Sequence, residues 1–178
     1  MKTKNLKKLK KIIFVFLLLI FIFPIQSYSQ SYNDFTLPDL DNNDVSLSKL
    51  LEKGPVMISF WATWCSPCKE EMKKVQPLYE KYKDQGFTYL AVNQDNQKSV
   101  AKVKSFINAN GYTFPVVLDL EKNIFEAYSG IGMPYSLLID QNKKIVAKHL
   151  GYVTGDDVKI EKEILEALKS GSSKEETK

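Results

Sequence analysis

The stretch Val56-Met57-Ile58-Ser59-Phe60-Trp61-Ala62-Thr63-Trp64-Cys65-Ser66-Pro67-Cys68-Lys69-Glu70-Glu71-Met72 decides how this chain is read. Its first six residues form a nearly continuous apolar run, which suits a central strand covered on both faces. From Pro67 to about Lys83, Met72, Val75, Tyr79 and Tyr82 recur at spacings of three and four, predicting a helix with one buried stripe. Pro77 lies inside that pattern and should kink the helix or end its first half. Cys65 and Cys68 are the only cysteines, and they stand where the strand ends and the helix begins. Two intervening residues place both sulfurs on one face of the first helical turn, close enough to bond. Cys65 falls just outside the helix, where unpaired backbone N–H groups and the helix dipole favour a thiolate. Cys68 falls one turn in and is shielded by backbone. The spacing therefore predicts that Cys65 attacks a disulfide and Cys68 resolves the mixed disulfide. Pro67 fits the first turn, where its missing donor costs little.

Other readings of the pair compete. A structural disulfide closing so small a loop would constrain little unfolded-chain entropy. A zinc site needs about four ligands, and beyond the cysteines the chain offers one histidine, His149. Copper binding by the pair lacks a second motif. His149 itself reads as an exposed strand residue with no role.

Outward from this segment, Phe35-Thr36-Leu37-Pro38 and Val45-Ser46-Leu47 are short alternating runs separated by Asp41-Asn42-Asn43-Asp44, which predicts a β-hairpin. Phe87 to Val92 reads as a second strand and Ser99 to Asn108 as a second helix, stopped by Asn110-Gly111. Phe114 to Leu118 reads as a third strand, and Ile124 to Tyr128 as a helical turn. Ser136 to Ile139 and Lys144 to Leu150 read as strands joined by a tight turn. The last helix is placed at about Asp156 to Lys169, with Val158, Ile164, Leu165 and Leu168 on its apolar side and Ile160 less well placed. This order predicts one α/β domain over residues 35–169, with a parallel part and a closing antiparallel hairpin. Residues 30–34 are expected to be a linker too polar to pack, and 170–178 a disordered tail.

The 178-residue chain carries a net charge of +4, but the charge is unevenly placed. Lys2, Lys4, Lys7, Lys8, Lys10 and Lys11 precede an apolar run from Ile12 to Phe23. Without those six, 19 Lys face 21 acidic residues, a net charge of −2. The run is too short for a bilayer core of about 30 Å, and Ser27 and Ser29 stand at −3 and −1 of a possible cleavage site before Gln30. Residues 1–29 are expected to be a signal peptide, or an uncleaved signal anchor using Ile12 to Tyr28. The chain has no Arg, so bidentate phosphate and guanine contacts are missing and no nucleic-acid partner is expected.

Phe60 to Met72 resembles the active-site segment of the TlpA/ResA type of extracytoplasmic thioredoxin-like disulfide reductases. Phe35 to Leu50 resembles that family's N-terminal hairpin, and Gly132-Met133-Pro134 followed by Leu137-Leu138-Ile139-Asp140 resembles its substrate-side loop. The likeness spans about residues 33 to 168. It implies a thioredoxin fold, a central mixed β-sheet flanked by helices, with an N-terminal β-hairpin and a central α-β insertion. It also implies an exported thiol–disulfide oxidoreductase, periplasmic or on the outer face of the cytoplasmic membrane. Such an enzyme would take electrons from a membrane thiol-transfer protein and reduce client disulfides, such as an apocytochrome c during cytochrome c biogenesis. No cofactor and no metal are implied. One departure is Lys73, where the family has a proline five residues after the second Cys; Pro77 lies one turn further on.

The resemblance also marks residues around the pair. It implies that Pro134 is cis and lies against the disulfide, leaving the backbone of Met133 free to pair with an extended client segment. Trp64 and Pro67 would line the same client-facing surface. Glu71 lies three residues after Cys68 and shares its helix face, whereas Glu70 points elsewhere. A partly buried carboxylate has a raised pKa and could take the proton that Cys68 must lose. Thioredoxin uses a buried Asp on the preceding strand for that task; the matching position here is Ser59, which cannot titrate. Two other functions share parts of the pattern. A thiol peroxidase would have Thr or Ser three residues before the reactive Cys, where this chain has Ala62. A metal-delivery module would space its cysteines by three residues and add a loop histidine.

Overall fold

The computed structural model describes residues 32–172. Along the chain these form β1 (Thr36–Pro38), β2 (Asp44–Ser46), α1 (Leu47–Leu51), β3 (Val56–Trp61), α2 (Ser66–Tyr82), β4 (Thr88–Asn93), α3 (Val100–Ala109), β5 (Val116–Leu118), α4 (Asn123–Ala127), β6 (Tyr135–Ile139), β7 (Ile145–Leu150) and α5 (Asp156–Ser172). The apolar run Val56–Trp61 is the middle of a five-stranded sheet of order β5-β4-β3-β6-β7, and all six of its residues are buried. β4 and β5 run parallel to it, while β6 and β7 close the sheet antiparallel. This is the mixed sheet of the thioredoxin fold. β1 and β2 form a separate antiparallel hairpin, tied to the sheet by a bridge from Asp39 to Val117. The insertion carrying α3 and β5 adds the outer parallel strand.

Alternation along each strand sorts the core into two layers. Val56, Ile58, Phe60, Leu90, Val92, Leu137 and Ile139 face one side, where Phe35, Leu47, Leu51 and Tyr128 cover them. Met57, Trp61, Tyr89, Ala91 and Leu138 face the other, under Cys68, Met72, Val75, Val103, Ile160 and Ile164 from the long helices. β7, at the edge, shows the half-buried, half-exposed alternation of a strand covered on one face. At the start of β3 and β4 two glycines pass backbone to backbone: a Cβ on Gly54 would lie 2.4 Å from the Gly86 carbonyl oxygen. Gly86 also takes φ 97°, which a side chain would strain.

Several boundaries differ from the sequence expectations. β5 starts at Val116, not Phe114, because Pro115 has no N–H for the ladder and only its carbonyl pairs, with Ala91 N–H. α2 runs through Pro77 instead of ending its first half there. In α5, Ile160 is the buried residue (2% exposed) and Val158 is 70% exposed. Ile160, Ile164 and Ala167 are spaced by four and three and set the buried stripe; Val158, two residues before Ile160, falls on the opposite side. α5 also continues past Lys169 to Ser172, its last turn lying against Gln141 of the β6–β7 turn. Tyr32 to Asp34 pack rather than link: Tyr32 lies on the core layer of Phe35 and Tyr128, Tyr128 Oη donates to Asn33 O at 2.6 Å, and Asp34 Oδ1 accepts from Ser48 N–H at 3.0 Å. The export signal expected at 1–29, residues 30–31 and the tail beyond Ser172 lie outside the described residues.

Candidate active site

β3 ends at Trp61, and the chain turns through Ala62, Thr63 and Trp64 into α2, with Cys65 N–H donating to Ala62 O at 3.0 Å. Cys65 is the N-cap: its Sγ accepts from Cys68 N–H at 3.3 Å, and Pro67 occupies the first turn. Cys65 and Cys68 are joined in a disulfide, with Cα atoms 5.3 Å apart. Cys65 is 6% exposed and Cys68 1% exposed, so the two sulfurs differ in access. Trp64 beside them is 65% exposed, and Pro67 is exposed as well.

The turn that presents Cys65 is held by groups that the sequence reading did not single out. Asp95, just beyond β4, accepts from Thr63 N–H at 2.7 Å, from Thr63 Oγ1 at 2.8 Å and from Asn93 Nδ2 at 2.9 Å. Gln94 N–H donates to Trp61 O at 2.8 Å, and Gln94 Nε2 donates to Asp119 at 3.1 Å. The available signal was a polar triplet, Asn93-Gln94-Asp95, closing an apolar strand. Groups at the carboxyl ends of parallel strands face the crevice where α/β sheets place their sites.

Met133–Pro134 is a cis peptide bond. Pro134 precedes Tyr135, which pairs with Phe60, so the loop Ile131–Pro134 lies at the same end of the sheet as Cys65. Met133 is half-buried and packs on the cluster that contains both cysteines. Among the described residues its N–H and C=O take no backbone hydrogen bond, whereas Pro134 O accepts from Gly151 N–H at 2.8 Å. Ile131, Leu150 and Val153 are exposed apolar side chains on the loop and on the neighbouring end of β7.

Glu71 is 0% exposed, one turn inside α2, while Glu70 is exposed. Its Oε1 accepts from Ser59 Oγ at 2.5 Å and from Tyr89 Oη at 2.9 Å. Among the described residues neither the buried Oε2 nor the buried Ser136 Oγ has a hydrogen-bond partner. No cation among the described residues forms an ion pair with this carboxyl. Burial pushes its pKa above the usual carboxylate range; the bonds from Ser59 and Tyr89 act against that rise, followed by the positive form of His149 and the nearby Ser136 hydroxyl, which lies outside bonding geometry. Tyr89, itself buried and beside the Glu71 charge, is held well above the usual phenol range and stays a hydrogen-bond donor. His149 is not the exposed strand residue expected: its side chain is 12% exposed, with Nε2 2.7 Å from Glu163 Oε2. It lies on the covered face of β7, and α5 closes over it.

The Redoxin family profile matches residues 29–167. The thiol-disulfide oxidoreductase ResA of Halalkalibacterium halodurans is 35% identical over 136 residues, covering 76% of this chain and 74% of that one. The chain belongs to the Redoxin family, among the ResA-type thiol–disulfide oxidoreductases. ResA of Geobacillus thermodenitrificans shares 39% identity over 127 residues, 71% of each protein. Among solved structures, a Chlorobium tepidum protein assigned as thiol:disulfide interchange protein DsbE superposes with a TM-score of 0.73 at 33% identity, covering 79% of this chain and 96% of that one. This redoxin is thus a thiol–disulfide oxidoreductase whose dithiol is Cys65 and Cys68. Among the described residues no helix is long and apolar enough to cross a membrane.

Proposed function

We propose that this redoxin is an extracytoplasmic protein-disulfide reductase in which Cys65 is the nucleophile, Cys68 the resolving thiol and Glu71 its proton acceptor. The observation that carries this reading is a nearly inaccessible Cys68 three residues from a fully buried carboxyl that has one unpartnered oxygen. The Cys65 thiolate, favoured at the start of α2, attacks a client disulfide. One client sulfur bonds to Cys65 Sγ, and the other leaves as a thiolate and takes a proton from water. Cys68 then gives its proton to Glu71 and attacks Cys65 Sγ, releasing the second client thiolate and closing the disulfide. The raised pKa of Glu71 makes it a better base for a thiol than an exposed carboxylate.

The client lies across Trp64 and Pro67, and an extended segment pairs with the unoccupied backbone groups of Met133 beside Pro134. The basic N-terminal segment directs the chain to export, to the periplasm or the outer face of the cytoplasmic membrane. There the oxidised pair regains two electrons and two protons from a membrane thiol-transfer protein. Clients are exported proteins with accessible disulfides, with apocytochrome c as the favoured class.

The reduction potential of the Cys65/Cys68 couple tests the direction of transfer. A value near −270 mV, about that of thioredoxin, is expected, and one near −120 mV would make the protein an oxidant. Peroxide consumption no faster than that of a Cys65→Ala variant is expected alongside, since Ala62 leaves the peroxidase pattern without its hydroxyl.

A further inference from the structure

Ser59, Ser136 and His149 are cross-strand partners on β3, β6 and β7, so they stand side by side on one face of the sheet and lead from its centre to its edge. Around this row the face is lined by Met57, Trp61, Ala91 and Leu138, with the Tyr89 hydroxyl also turned to Glu71. In the other direction the row continues through apolar residues only, Ala91 on β4 and Val116 on β5. Glu71 sits over the inner end of the row with Oε2 unpartnered, and the neighbouring Ser136 Oγ is also unpartnered. A hydroxyl both donates and accepts, so Ser136 can take a proton from one side and pass one on at the other. At the outer end His149 Nε2 meets Glu163 Oε2 at 2.7 Å, and Glu163 borders a recess of about 200 Å³ open to solvent, together with Asp140, Val146 and Glu166.

We infer that Ser136, His149 and Glu163 form the route by which the proton taken from Cys68 leaves Glu71 for solvent. This rests on the reading of Glu71 as the acceptor for Cys68. A carboxyl with no exposure that accepts a proton in every cycle needs such an exit. The step balances without electrons: Glu71 gives its proton to Ser136 Oγ as Ser136 gives its own to the imidazole, and the imidazolium releases one to Glu163 or water. His149 and Glu163 are positioning residues, since neither touches the sulfurs. The charged groups facing His149 are Glu163 on α5, with Lys159 3.8 Å from the other oxygen of Glu163, and Glu71 on α2; β6 presents only Ser136. Lys148, its neighbour on β7, is exposed on the opposite face.

Stopped-flow reaction of the reduced protein with 5,5′-dithiobis(2-nitrobenzoate) separates attack by Cys65 from resolution by Cys68, each releasing one thionitrobenzoate. His149→Gln is expected to leave the first phase unchanged and slow the second about tenfold near neutral pH. Its pH profile should move to higher pH, because the imidazolium no longer supports the buried Glu71 anion. Glu163→Gln, on the exposed side, should move it the same way by less, and serves where His149→Gln does not fold. In a Glu71→Gln background His149→Gln should have no further effect. A second phase with wild-type rate and profile in both variants, or the same slowing on top of Glu71→Gln, overturns the route. If Glu71→Gln alone leaves the second phase unchanged, the acceptor reading is what fails. Failure to reduce a client protein, with both phases intact, would count against the reductase reading only.

Discussion

The two faces of the central sheet are made by the same strands yet hold different chemistry. On one face, Phe60 stacks with Tyr135 and meets Phe125 and Tyr128, and the buried strand residues around them, Val56, Ile58, Leu90, Val92, Leu137 and Ile139, are apolar. On the other, the same β3 contributes Ser59, β6 contributes Ser136 and β7 contributes His149, gathered under Glu71. The first face needs only volume and contact. The second holds a fully buried carboxyl that, among the described residues, makes no ion pair, an arrangement that weakens the fold wherever that group is charged. Such a departure from a dry core is expected where function demands it, and here it lies directly behind the disulfide.

The comparison is broken most sharply at the site end. Cys68→Ser should leave Cys65 able to attack and unable to finish, so turnover falls to background and a client–Cys65 mixed disulfide accumulates on non-reducing gels; Cys65→Ala should give neither. On the dry face, Phe60→Ala should lower the stability of the oxidised protein by about 3–5 kcal/mol in urea unfolding, since the ring is fully buried and its neighbours cannot collapse into the space. A loss under about 1 kcal/mol would show that this face repacks readily. Smaller again is Thr63→Val, which removes one hydrogen bond to Asp95 but keeps the backbone one. It should cost about 2 kcal/mol and leave the fold of the sheet intact.

Much of this contrast was legible in the sequence. The apolar run Val56–Trp61, the paired cysteines at a strand–helix junction and the position of Glu71 on the Cys68 face are local patterns, and the structure places each where its period requires. His149 was misjudged because its burial depends on α5, whose Glu163 lies 14 residues later, folding back over an edge strand. Asp95 escaped because its partners lie 32 residues away at Thr63. Ser59 could be dismissed as unable to titrate, although its hydroxyl is the closest donor to Glu71. The sequence reading set Val158 on the apolar side of α5 with Ile160 less well placed, and contact with the sheet buries Ile160 and leaves Val158 exposed. What escaped was in each case set by packing between distant segments, which no local period encodes.

The pH dependence of stability sharpens the comparison between the faces with the smallest expected effect. In the oxidised protein neither cysteine titrates. Burial raises the pKa of Glu71 in the folded state above its value in the unfolded chain. Between those two values the folded protein binds the proton that the unfolded chain has released, so stability falls as pH rises through that window and levels off above it. The slope from one such group cannot exceed about 1.4 kcal/mol per pH unit. Carboxyls held low in the folded state, such as Asp39 and Asp157, contribute the opposite slope at lower pH, so the reading must be the difference between wild type and Glu71→Gln. Wild type should lose stability relative to Glu71→Gln as pH rises above the usual carboxylate range. The same comparison made with Phe60→Leu on the dry face should run parallel to wild type at every pH. If the Glu71→Gln difference were also flat, Glu71 would carry no ionisation penalty, and the polar row behind the disulfide would be as inert as the apolar face opposite.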